Sequence, residues 1–139
     1  MATLTKFNAL TENIAEKVHN FETDAIKVLL TNTAPVVTNS VIANITDITA
    51  GNGYTAGGSV ASIVSSAQTS GVYKLVVNDV IFTASGGSIG PFRYVVVYNS
   101  TAVNGPLMFF GDYGSVITLN IGETLTVDFD QVNGILTIG

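Results

Sequence analysis

The chain of 139 residues contains no cysteine and a single histidine. No disulfide and no thiolate metal site can form, and a secreted, disulfide-stapled domain is unsupported. Charge is scarce as well. Asp, Glu, Lys and Arg make up 11% of the chain, against about 25% in an average protein. Cations are scarcer still, with five Lys and Arg against ten Asp and Glu and a net charge of −5. A nucleic-acid interface needs a concentrated basic surface, and an anionic membrane surface needs a basic segment. Neither partner is expected. Long hydrophobic runs are missing too. The longest nearly unbroken ones, Tyr94–Tyr98 and Leu107–Phe110, fall far short of the about 20 residues that cross a bilayer. Residues 1–10 alternate polar with apolar side chains and carry one Lys, unlike a signal peptide. Folding in the cytoplasm is the expectation.

At 47% apolar residues, the chain is too hydrophobic to be disordered. Its length suits one domain, residues 1–139. Phe7, Leu10, Ile14, Val18 and Phe21 recur at steps of three and four. That period predicts an amphipathic helix over residues 6–19, with Thr5 as N-cap, Asn20 at a left-handed exit and His19 at the negative end of the dipole. From Asp24 the period drops to two. Ile26, Val28 and Leu30 share one face, and Lys27 and Leu29 share the other. Residues 36–49 read either as a strand or as a short helical turn, and a glycine-rich loop occupies 50–59.

Beyond it the pattern is strand, turn, strand. The predicted strands are Val60–Ser65, then Val72–Thr83 with a bulge at Asn78-Asp79. Next comes 92–98, with Phe92, Tyr94, Val96 and Tyr98 on one face. Leu107–Phe110 and Val116–Ile121 follow, then a strand with Leu125, Val127 and Phe129 inward. Asn133-Gly134 closes a final hairpin into Ile135–Ile138. The expected fold is mainly β: a single-domain antiparallel β-sandwich over 24–139, jelly-roll or immunoglobulin-like, with one N-terminal amphipathic α-helix.

Motifs that carry chemistry are weak. Gly86-Gly87-Ser88-Ile89-Gly90 matches G-x-S-x-G, but a nucleophile elbow needs a helix after it, and Pro91 and a β-branched run follow. The only histidine, His19, lies upstream, whereas the triad needs one downstream. Gly51-Asn52-Gly53-Tyr54-Thr55-Ala56 matches a relaxed dinucleotide fingerprint without the required strand and helix. Asp128 and Asp130, with Asn133 nearby, could offer oxygens to a hard cation such as Ca²⁺, though the spacing of a calcium loop fails at Val132. Phe92, Tyr94, Tyr98, Phe109, Phe110 and Tyr113 could form a sugar-stacking platform or a sandwich core. So little acid–base or nucleophilic chemistry remains that no enzyme activity and no cofactor are expected.

Several segments are similar to a family of small tailed-bacteriophage structural proteins. They are Thr5-Lys6-Phe7-Asn8, Ala15–Asn20, Leu29–Pro35, Ala50–Gly58 and Thr83–Tyr94, and the similarity extends over the chain. The resemblance implies a virion component, foremost a head decoration (cement) protein. The expected mechanism is mechanical: it binds the major capsid protein on the head surface, and self-association as a dimer or trimer would match local lattice symmetry. A tail, baseplate or fibre-base component and a virion-surface glycan-binding module are the alternatives. The family motif carries no catalytic or metal residues. Candidate contact loops are Gly51, Asn52, Gly53 and Tyr54, and Gly86, Gly87, Ser88 and Gly90, where glycine permits close backbone approach. The candidate contact helix presents Phe7, Leu10 and Ile14.

Overall fold

A computed structural model describes residues 3–139. The chain is mainly β with one short α-helix. β1 (Leu4–Lys6) leads into α1 (Ala9–Ala15), and β2 (Ile26–Thr31) follows. A 3-10 turn at Ile42–Asn44 precedes β3 (Ser59–Ala61), β4 (Ile63–Thr69), β5 (Val72–Val77) and β6 (Val80–Thr83). β7 (Ile89–Asn99) and β8 (Leu107–Leu119) form a long hairpin, and β9 (Thr124–Val127) and β10 (Leu136–Ile138) complete the chain. A five-stranded sheet has the order β1-β8-β7-β2-β3, a three-stranded sheet the order β10-β5-β4, and β6 pairs with β9. Every strand pair is antiparallel.

The period of two in β2 sends Ile26, Val28 and Leu30 to one face. There they meet Val95 and Val97 of β7, Met108 of β8, Leu75 and Val77 of β5, Phe82 of β6 and Val127 of β9 in one continuous core. The two smaller sheets thus lie across one face of the large one, an antiparallel sandwich arrangement. Leu29 points the other way, into a second buried cluster with Phe7, Val96, Tyr98 and Leu107. Ile42 and Ile45, from the segment that the sequence left ambiguous, cover that cluster. The centre of β7 is therefore buried on both faces, which is why Val95-Val96-Val97-Tyr98 is an apolar run without alternation.

The structure corrects several expectations. The helix spans Ala9–Ala15 rather than 6–19, because residues 4–6 take their backbone partners from β8. Thr5 lies in β1, and Asn8 holds the N-cap position without a side-chain capping bond. Lys17, at φ 64°, makes the left-handed exit in place of Asn20. Asn78-Asp79 is a change of sheet, not a bulge within one strand: β5 ends there and β6 begins in the smaller ribbon. Asp79 pins the crossing by accepting the Phe129 N–H at 2.8 Å. Register shifts on both sides of Phe92 turn it into the central core, away from Val96 and Tyr98. Leu107–Phe110 and Val116–Ile121 belong to one strand, β8, save the last two residues. Asn133-Gly134 is a turn closed by the Asp130 carboxylate, yet β10 beyond it pairs with β5 instead of returning on β9.

Candidate functional site: two interlocked glycine loops

The two glycine-rich loops singled out in the sequence lie against each other. Gly51 and Tyr54 exchange backbone hydrogen bonds of 2.8 and 3.0 Å around Asn52-Gly53. Both central residues have positive φ, 59° and 100°, the backbone that Asn-Gly adopts most readily. A Cβ on Gly53 would collide with the Thr83 carbonyl oxygen, so glycine is required where this turn passes the end of β6. Asn52 then reaches across to the second loop. Its Nδ2 donates to the Ser88 carbonyl at 3.0 Å, and its own carbonyl accepts the Ser85 N–H at 2.9 Å. Gly87 packs so closely on the Asn52 side chain that any side chain there would displace it. The tip exposes Gly51, Asn52, Gly53, Gly86 and Ser88, mostly as backbone and small uncharged groups.

Beneath the tip sits a polar network. Tyr54, only 2% exposed, stands on the Phe82 ring. Its hydroxyl donates to Asp47 Oδ1 at 2.5 Å and accepts the Leu30 N–H at 3.1 Å. Asp47 Oδ2 accepts the Gly57 N–H at 2.7 Å, and the Tyr98 hydroxyl donates to the Gly57 carbonyl at 2.7 Å. Burial and the Asp47 carboxylate push the Tyr54 phenol well above its ordinary value, and burial raises Tyr98 too. Both stay protonated and act as fixed donors. Gly58 completes the attachment, since a Cβ there would strike the Val28 carbonyl of β2. The 51–58 loop is thereby bolted to the large sheet.

The candidate contact residues divide accordingly. Tyr54 belongs to the foundation of the tip and offers no outer surface. Phe7 and Leu10 are fully buried, because Phe7 fills the second cluster and Leu10 the main core; they cannot touch a partner. Ile14 is half-buried against the core. Gly90 lies in β7, not in the loop, with its backbone against Ile117. Of the aromatics near the loops, Tyr54, Phe82, Phe92 and Tyr98 are all buried. Of the predicted stacking platform, Tyr94, Phe110 and Tyr113 are half-buried. Asp47 was not foreseen; its one signal is that it is the last charged residue before the uncharged run from 48 to 73.

His19 and Asp130 have structural work. Asn99, fully buried at the end of β7, accepts the Thr101 and Ala102 N–H groups with its oxygen. Its amide nitrogen must then face Asp24, at 2.7 Å, and His19 Nδ1, at 3.0 Å. Nδ1 is consequently the acceptor and the imidazole is neutral, in line with burial holding its pKa below the ordinary value. His19 stacks on Phe21 at the wall of an open groove of about 530 Å³ that also includes Tyr73 and Ile138. Asp130 spends its carboxylate on the Val132 and Asn133 N–H groups and the Asn133 amide, which lowers its pKa. Among the described residues no three His, Asp or Glu gather in a metal-binding group. No helix among them is long and apolar enough to cross a membrane. No protein-family model matches the chain, and no curated protein or solved structure matches it either.

Proposed function

We propose that the protein is a structural component of a tailed-bacteriophage virion, seated on the head as a decoration (cement) protein and assembled in the host cytoplasm. The observation that carries this reading is the interlocked tip. Two loops 36 residues apart are tied through Asn52 and Ser88 into one rigid, uncharged projection over a buried tyrosine–aspartate network. Preorganised backbone of this kind loses little entropy on docking and carries no charge to desolvate. It suits a contact made identically many times on a lattice. The tip would seat on the major capsid protein and bridge neighbouring subunits. Each contact would stabilise the shell by about 25 cal/mol per Å² of apolar surface buried. The burial of Tyr54, Phe82, Phe92 and Tyr98 speaks for protein docking over glycan stacking.

Electron cryo-microscopy of purified virions, with copy number by quantitative mass spectrometry, tests the proposal. Hundreds of copies across capsomer junctions, with Asn52 and Ser88 at the contact, are expected. A few copies at the neck or tail, or none in the particle, would overturn it.

A further inference from the structure

Sheet edges invite pairing with another strand unless they are short, charged or covered. Most edge strands here are guarded, and the outer side of β8, which β1 leaves open beyond Gly111, carries Asp112 and lies where the pairing with β7 shifts register. β1, β3 and β10 have three residues each, and β6 and β9 have four. β1 carries Lys6, while Asp79, Glu123 and Asp128 flank β6 and β9. β4 differs. It has seven residues, Ile-Val-Ser-Ser-Ala-Gln-Thr, with no charge and no proline. It lies within residues 48–73, which contain no Asp, Glu, Lys or Arg. A register shift between Ile63 and Ser65 interrupts its start, but Ser65–Thr69 pairs regularly with β5.

The turn settles which groups face outward. Ser70 and Gly71, at φ 52° and 83°, join Thr69 to its partner Val72. Such a two-residue turn closes on a hydrogen-bonded pair, and the pairs alternate from there. Thr69, Ala67 and Ser65 therefore bond to β5. Ser66 and Gln68 turn their N–H and C=O groups to the open side, where no strand pairs with β4 among the described residues.

We propose that a second copy of this chain pairs antiparallel along β4, about a twofold axis at Ala67. Ser66 of each copy exchanges backbone hydrogen bonds with Gln68 of the other, and Ala67 faces Ala67. The opposed side chains are small or uncharged, so the register has no clash. Two chains of net charge −5 repel in most approaches, and β4 itself sets no carboxylate against its copy; Lys17 and Glu22 line the groove beside Ser66 as a pair of opposite sign. The two three-stranded sheets become one continuous sheet. This pairing deepens the many-copy reading above, but its test needs only the purified full-length chain, so each proposal can fail alone.

Sedimentation velocity and light scattering should give twice the 14.5 kDa chain mass. Ala67→Lys sets like charges face to face on the exposed edge. It should weaken self-association at least about 100-fold, with an unchanged circular dichroism spectrum. Ala67→Cys gives an independent readout in a chain without cysteine. Opposed residues at such a pair have Cα atoms about 4.5 Å apart, close enough for a disulfide. A cross-linked dimer should form on oxidation, whereas Thr69→Cys, which would face Ser65, should stay uncross-linked. A monomer at all concentrations, a trimer, a dimer untouched by Ala67→Lys, or an Ala67→Cys chain that does not cross-link would each refute the pairing. So would a β4 edge that pairs only when capsid protein is added.

Discussion

Removing one oxygen atom, in Tyr54→Phe, probes the foundation of the tip. The hydroxyl serves two partners: the Leu30 N–H, on a fully buried residue of β2, and the Asp47 carboxylate. Phenylalanine keeps the ring on Phe82, so no cavity opens beyond the lost hydroxyl. An amide left unpaired in the core costs about 1–3 kcal/mol, and a hydrogen bond to a charged group is worth about 1.5–3 kcal/mol. Asp47 is half-exposed and regains water, which discounts the second figure. The expected loss is about 3 kcal/mol. At roughly 3–4 °C per kcal/mol for a chain of this size, Tm falls by about 10 °C. Urea unfolding followed by far-ultraviolet circular dichroism measures it. Tyr98→Phe, which removes only the bond to the Gly57 carbonyl, should cost about 1 kcal/mol. A cycle pairing Tyr54→Phe with Asp47→Asn should show a coupling of about 1 kcal/mol or more. If Tyr54→Phe costs under about 0.5 kcal/mol, the network does not hold the loop and the rigid-tip reasoning fails.

Gly58→Ala should destabilise by about 3 kcal/mol or more, from the positive φ of 82° and the collision with the Val28 carbonyl, as read by thermal melting. Asn52→Ala should lower Tm by less than about 5 °C. It should also raise hydrogen exchange at the Ser85 amide, since the bond from Ser85 N–H to the Asn52 carbonyl depends on the tip staying closed. His19 sets a pH dependence. Burial, opposed by Asp24, keeps the folded imidazole below its ordinary 6.5, so the unfolded chain takes up the proton first as pH falls. Stability is then intact above pH 6.5, declines as pH drops through 6.5, and levels once pH is below the folded value. Urea titrations from pH 8 to 5 should show the decline, and His19→Gln should remove it.

The fold was legible wherever burial was one-sided. Ile26, Val28 and Leu30 alternate with solvent-side or second-cluster residues, and Leu125, Val127 and Phe129 alternate with polar neighbours, so period two placed both strands. It failed where a chain segment changes partners. Nothing local at Ser62 or Asn78 says that β3 passes from one sheet to β4 in another, or β5 to β6. The helix was over-extended for a related reason. Phe7 and Phe21 fit its apolar stripe, yet they are buried by different elements, Phe7 beside β2 and β7 and Phe21 in the main core. Periodicity reports that a residue is buried, not against what.

The site shows the same division. Composition marked both glycine loops, because Gly51, Gly53, Gly57, Gly58 and Gly86 adopt the positive φ that glycine takes without strain. Their contact through Asn52 and Ser88 is a long-range fact that no local pattern carries. Tyr54 looked like loop surface because its neighbours are glycines. It is buried because its hydroxyl finds Asp47 and Leu30, and a phenol with both partners can leave water at little cost. The scarcity of charge then connects the tip to the β4 edge. A chain with almost no lysine or arginine after residue 27 lacks the commonest guard for an exposed strand. Its β4 edge carries no charged guard, and under the proposed pairing a twofold copy would meet that edge with the same small, neutral side chains. In the two proposals together, the tip would seat on a foreign lattice and the edge would join the copies seated on it.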